Sequence, residues 1–259
     1  MCLSNSASAD LRSGIAANDS DLASLRSFIQ RRNDDPKQAT LPNLKSIGRA
    51  FQGKLLALPA DVRFAAVDLL RCAMVDARVG GFFAEEKGSL TFATLLKHVN
   101  ELDNCPHKLR LVTIHLACNI FISPLFIKEL MQPGYTLPGY LVQLITSSLL
   151  DNAHSTTRVA ASSLAFNLAV ANYLVRREEN REGLGESEQV ELAAGVLEVL
   201  SHEENIDVAK ALLLTLGYLL YHAPQQGEVY DLLEALEAKD IVRSCQLHSA
   251  LINEVSSLL

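Results

Sequence analysis

Leu116-Ala117-Cys118-Asn119 and Leu164-Ala165-Phe166-Asn167 are the stretches whose reading decides the fold. Each places an asparagine inside an otherwise apolar run. Asp68-Leu69-Leu70-Arg71 precedes them and Leu214-Thr215-Leu216-Gly217 follows them. The final positions are 71, 119, 167 and 217, so the steps are 48, 48 and 50 residues. Self-similarity at a fixed period means that one supersecondary unit recurs. Such a unit cannot bury its apolar face alone and does so by stacking on its neighbours.

The apolar spacing within each block is helical. Phe64, Val67, Leu70 and Met74 form one stripe, and no segment alternates with a period of two. The expectation is therefore an all-α chain of the armadillo/HEAT-like solenoid class, whose usual role is binding rather than catalysis. Residues 1–20 read as a polar, poorly ordered lead-in and 21–259 as the solenoid. Helices are expected near 21–32, 42–58, 60–76, 90–103, 107–122, 124–132, 137–151, 156–175, 187–203, 206–221, 226–237 and 239–258. Gly80-Gly81 reads as a break. The charged stretch Arg176–Glu186 reads as a solvated connector. The two Pro-Gly-Tyr triplets between Met131 and Tyr140 read as a turn with tyrosines packed on a helix end. The polar start and the helix at the C-terminus lead us to expect the tail end of a longer protein.

The bulk numbers narrow the function classes. The chain has 259 residues, is 49% hydrophobic, lacks tryptophan and carries a formal charge of −7. Phosphate backbones call for clustered Lys and Arg, so an acidic chain is a poor candidate for nucleic acid. The first residues lack an apolar core of signal-peptide length, and the apolar runs fall short of the roughly 18 residues of a bilayer span. Five cysteines, with no C-x-x-C pair, point to reduced thiols. A cytoplasmic or nuclear monomer with no cofactor is the resulting expectation.

Asparagine costs about 0.6 kcal/mol against alanine inside a helix. Two of them at one repeat position, Asn119 and Asn167, need a cause. Two causes are open. A groove-facing amide can bond both ways to the backbone of an extended peptide, or it can satisfy a neighbouring inter-helix loop. Arg71 holds the same position one block earlier. His115 lies one turn before Asn119 on its face, and Lys210 two turns before Gly217. Arg63, Arg110 and Arg158 sit near the N-terminal ends of their helices. The candidate binding set is Arg71, His115, Asn119, Arg158, Asn167 and Lys210, a basic stripe suited to an acidic ligand. Chemistry finds little support. The seven histidines form no metal-ligand spacing. Cys105-Pro106-His107 joins a thiol to an imidazole without an orienting acid or amide. No catalytic or metal-binding residues are assigned.

Four stretches together resemble the PUL domain, the armadillo-like module at the C-terminus of the phospholipase A2-activating protein family and beside thioredoxin or PPPDE-type peptidase domains in other proteins. They are Leu58-Pro59-Ala60 through Arg71 to Gly81-Phe82-Phe83, His115 to Phe121, Val159-Ala160-Ala161 through Asn167, and Ala211 to Leu220. The likeness covers about residues 22–259. It implies a right-handed solenoid of about six helical repeats. It also implies a basic groove that takes the acidic C-terminal tail of the valosin-containing AAA ATPase, the ubiquitin-dependent segregase. Arg71 matches a family groove arginine. His115 and Ala211 stand where many members have arginine, with Lys210 next to the second. The alternative implied is a structural or regulatory domain of a larger thioredoxin- or PPPDE-peptidase-containing protein that does not bind the ATPase.

Overall fold

The computed structural model describes residues 20–35, 37–245 and 249–259, excepting the side chains of residues 60, 61 and 249. The lead-in expected over 1–20 lies outside these residues apart from Ser20. Every regular element described is helical, which fits an α-solenoid, and no strand occurs among the described residues. No single described helix is long and apolar enough to cross a membrane. The chain divides into two compact units, Met1–Phe126 and Ile127–Leu259.

The first unit holds α1 (residues 20–34), α2 (Leu44–Phe51), α3 (Ala60–Ala73), α4 (Ala77–Ala84), α5 (Leu90–Asn100) and α6 (His107–Ile120). Pro59 and Pro106 stand immediately before α3 and α6, where a missing N–H costs nothing. α3 packs along α6. Leu70, Leu109, Ile114 and Ile120 are fully buried there, each contributing about 1.5–3 kcal/mol on leaving water. Phe83, Phe92 and Phe126 run through this core edge to face, with centroids 5.7 and 5.2 Å apart.

Gly80-Gly81 does not break the helix. α4 runs through both, started by Asp76, whose carboxylate accepts the Arg78 N–H at 3.0 Å. A Cβ on Gly80 would meet the Ser123 Cβ at 3.3 Å, so this glycine serves close packing rather than a turn.

The chain division falls within α7 (Pro124–Leu130). The second unit continues with α8 (Leu137–Leu149), α9 (Ser155–Glu179), α10 (Glu186–Leu200), α11 (Ile206–Leu220), α12 (Glu228–Ala235), α13 (Ala238–Ser244) and α14 (Ser249–Leu258). The expected helix 239–258 is thus two, with residues 246–248 of it undescribed. α9 packs against α8 and α11, and α10 against α8. Ala161, Leu164, Ala165 and Leu168 of α9 and Leu212, Leu213 and Leu216 of α11 are fully buried.

The stretch Arg176–Glu186 is not a solvated connector. Its first four residues extend α9. The loop after them folds back onto the helix. Buried Asn172 accepts the N–H groups of Gly183 and Leu184 at 2.7 and 2.8 Å and donates to Glu182 at 2.9 Å. Arg176, also buried, donates to Glu182 at 2.6 and 2.8 Å. These bonds settle the polar groups that a solvated loop would give to water.

Candidate peptide-binding surfaces

In the first unit, Arg71, His115 and Asn119 come together on the α3–α6 face. Arg71 lies in the last turn of α3 with about a third of its side chain exposed. Its Nε donates to Asp68 Oδ1 at 2.7 Å, and an outer nitrogen donates to Cys72 Sγ at 3.3 Å. The Asp68 side chain is 43% exposed, so the pair is weak and can open to another anion.

His115 is exposed on α6. Partial desolvation first, and the Arg71 charge second, push its pKa below the ordinary histidine value, against the pull of Asp68. At neutral pH it therefore presents a neutral ring, not a cation.

Asn119 uses one amide hydrogen on the protein itself. Its Nδ2 donates to the Arg71 carbonyl at 2.9 Å, 48 residues earlier. Arg32 of α1 donates to the next carbonyl, that of Cys72, at 2.8 Å. The C-terminal end of a helix leaves its last carbonyls without intrahelical donors. Two side chains from other helices supply them here. The remaining Asn119 hydrogen and its Oδ1 are the groups left for a ligand.

The second unit treats the same residue types differently. Arg158, near the start of α9, donates to Glu203 from Nε and Nη2 at 2.8 and 3.4 Å, and to the Asp151 carbonyl at 3.1 Å. The Glu203 carboxylate is 3% exposed. Burial raises the Glu203 pKa, but hydrogen bonds from Arg158 and the Asn205 N–H, with the Arg158 charge, outweigh burial and leave it below the usual carboxylate range. Arg158 is thus a bidentate tie between α9 and the loop before α11. Arg63 of the first unit plays a similar part, donating to the Leu58 carbonyl at 2.6 and 3.2 Å and to His98. Since arginine can only donate, His98 Nε2 accepts and the ring is neutral.

Asn167 is half-buried in mid-α9, and its amide has no hydrogen-bond partner among the described residues. Lys210 is exposed on α11 and forms no ion pair among the described residues. Both are open to a ligand.

The thiol of Cys105 is pushed up by burial, with the Arg110 and Arg63 charges pulling the other way. That is the reverse of an activated nucleophile. Burial likewise takes Cys118 up to about 12. Among the described residues no three His, Cys, Asp or Glu side chains group as metal ligands would.

Two features escaped the sequence reading. One is the Asn172–Arg176–Glu182 cluster. Arg176 also donates to the carbonyls of Tyr218, Leu219 and Tyr221 at 3.3, 2.9 and 2.8 Å, closing the C-terminal end of α11. The other is a run of aromatic rings on α9 and α11, with Tyr173 lying 5.3 Å from Tyr218 and 5.8 Å from Tyr221.

Comparison with protein-family models gives a match over residues 3–257, nearly the whole chain, to the PUL domain. That match agrees with the helical architecture and with the four stretches around Arg71, Asn119, Asn167 and Gly217. PUL is a protein-interaction family rather than a catalytic one, and this chain belongs to it.

Proposed function

We propose that this domain binds an acidic, extended C-terminal peptide, that of the valosin-containing AAA ATPase, and acts as a monomeric, non-enzymatic adaptor for ubiquitin-dependent turnover in the cytoplasm or nucleus. The observation that carries the reading is the state of Arg71. It is a part-exposed guanidinium whose only carboxylate partner among the described residues is the part-exposed Asp68, three residues away. Asn119, beside it, keeps amide groups for a peptide backbone, and Lys210 and Asn167 of the second unit stand open.

A hydrogen bond to a charged group contributes about 1.5–3 kcal/mol. Removing one from a roughly micromolar complex weakens it about 10- to 100-fold. The test is a fluorescence-anisotropy titration with the ATPase tail peptide at low and moderate salt. Salt-sensitive micromolar binding, weakened by that factor in Arg71→Glu, is the expected outcome. Absence of binding at several hundred micromolar would overturn the reading.

One observation favours a second reading. Arg158 is neutralised by Glu203 and His115 is uncharged at neutral pH, so two of the candidate cations contribute little. A domain with that economy suits a structural or regulatory role within a larger thioredoxin- or PPPDE-peptidase-containing protein. The same titration separates the two readings.

A further inference from the structure

Gly217 stands at the repeat position that Arg71, Asn119 and Asn167 hold in the other three blocks. Where those blocks offer a polar side chain, α11 offers none. The vacated space is the floor of a pocket of about 330 Å³ in the second unit. A Cβ on Gly217 would reach into it and meet Val255 Cγ2 at 3.4 Å. Tyr173 of α9, Tyr218 of α11 and Tyr221 just past its end frame the pocket, and Leu251 and Val255 of α14 close the far wall.

The frame is fixed before any ligand arrives. Tyr218 packs edge-on to Phe166 at 5.7 Å, and Tyr221 packs edge-on to His222 at 4.6 Å. The backbone carbonyls of Tyr218 and Tyr221 are held by the buried Arg176. A preformed site loses little entropy on binding. Its volume lies at the lower end of the range of about 300–1,000 Å³ for ligand pockets. That suits one large side chain, not a helix.

Charge narrows the occupant. Lys210, Leu214, Gly217 and Tyr218 are spaced i, i+4, i+7 and i+8, one face of α11, and Tyr221 follows just past its end. Arg177 lies on the α9 wall with its guanidinium 5.7 Å from the Tyr173 ring centre. Its carboxylate partner is the neighbouring Glu178, in an exposed pair that an incoming acid can exchange. Glu254 of α14 is the acidic residue lining the pocket. Acidic groups beside an anchor are therefore favoured on the Arg177 and Lys210 sides and disfavoured towards α14.

We propose that the Tyr173–Tyr218–Tyr221 pocket seats one large apolar side chain of an acidic peptide over Gly217, with the flanking acids on Arg177 and Lys210. This rests on the acidic-peptide reading above and adds its anchor. Recognition then needs a motif, an apolar residue within an acidic segment, and not charge alone.

Three fluorescein-labelled synthetic probes test it. They are acidic ten-residue peptides that differ only in a central Leu, Phe or Ala. The Leu and Phe probes should bind wild-type protein at least about tenfold more tightly than the Ala probe. Gly217→Leu should erase that advantage, and Gly217→Ala should reduce it. Gly217→Ala exchanges glycine for the best helix former, so its melting temperature should hold or rise. Lost binding then reports the filled pocket and not unfolding. Arg177→Glu should weaken all three probes alike. Equal binding of the Leu and Ala probes, both weakened by Arg177→Glu, would overturn the pocket and leave the acidic-peptide reading standing. A Leu advantage erased by Gly217→Leu but indifferent to Arg177→Glu would support the pocket and remove Arg177 from the partner surface. No binding of any probe near 1 mM would overturn both.

Discussion

The α3–α6 face of the first unit and the α9–α11 face of the second carry the same pair of residue types, an arginine and an asparagine, and use them in opposite ways. In the first unit the asparagine works inward, Asn119 closing the end of α3, while Arg71 stays part-exposed beside a part-exposed acid. In the second the arginines work inward. Arg158 is tied to Glu203 and Arg176 to Glu182 and the end of α11, while Asn167 is left unbonded among the described residues. A helical repeat must satisfy its inter-helix carbonyls and offer groups to a ligand. Either residue type can take either job, and the partner across the interface decides which. Four predictions press on that contrast.

The strongest effect belongs to Arg176→Met. It leaves Glu182 without its cation and strips donors from three carbonyls at the end of α11. Glu182 is 29% exposed and keeps its Asn172 bond, so the loss of its cation costs about 1–3 kcal/mol, and the stranded carbonyls bring the sum to about 3–5 kcal/mol. Urea unfolding should show a loss of that size in the transition that reports the second unit. Arg71→Met, in the part-exposed pair of the first unit, should cost less than about 1 kcal/mol. Equal losses would abolish the contrast.

Arg158→Ala comes next, at about 1–3 kcal/mol, since Glu203 stays buried without its donor. The sign with pH follows from the lowered Glu203 pKa. A carboxylate whose folded pKa is depressed stabilises the fold above its unfolded value, and that stability is lost as pH falls through the folded value. Wild-type protein should therefore lose this contribution on acidification below the ordinary carboxylate range. Arg158→Ala should show a shallower acid dependence, read from chemical unfolding at stepped pH.

His115→Arg restores the side chain that many family members carry and tests the first unit's outward-facing half. Neutral His115 gains charge only as pH falls below the ordinary histidine range, so wild-type binding of the ATPase tail should tighten on acidification. The arginine variant should bind about tenfold more tightly at pH 7, the worth of a modest charged hydrogen bond. Its affinity should no longer change between pH 7 and 5.5 beyond the change seen with His115→Ala. Anisotropy with the tail peptide at both pH values reads this directly.

How much of this was legible in the sequence divides along the same line. The helical stripes and the helices expected from 60 and from 107 were local signals, and α3 and α6 start there. Gly80-Gly81 was misread because a glycine kept for close approach looks, in sequence, like one kept for a turn. Only Ser123, more than forty residues away, tells them apart. Arg71 and Arg158 looked alike for the same reason. Each is an arginine on an apolar helix, and the residue that neutralises Arg158 lies 45 positions downstream. Asn172 was missed because it stands off the repeat step. The available signal was a second asparagine in one apolar helix, with Glu182-Gly183-Leu184 ten to twelve residues beyond. The aromatic pocket was missed because Tyr173, Tyr218 and Tyr221 belong to two helices whose pairing no local pattern reveals.

The smallest effects sharpen the comparison most, because they set the two asparagines side by side. Asn119→Ala removes the donor to the Arg71 carbonyl. The net worth of such a bond is about 0.5–1.5 kcal/mol, offset in part by about 0.6 kcal/mol of improved helix propensity. The balance should fall between no change and a loss of about 1 kcal/mol. Asn167→Ala removes no bond among the described residues and keeps the propensity gain, so it should stabilise the second unit by up to about 0.6 kcal/mol. If a groove amide is kept for a peptide backbone, that stability has been given up for binding. Asn167→Ala should then raise the melting temperature and weaken the tail peptide together. A variant that gains stability and binds unchanged would mean that Asn167 faces no ligand. The second unit would then contact the peptide through Lys210 and the tyrosine pocket alone.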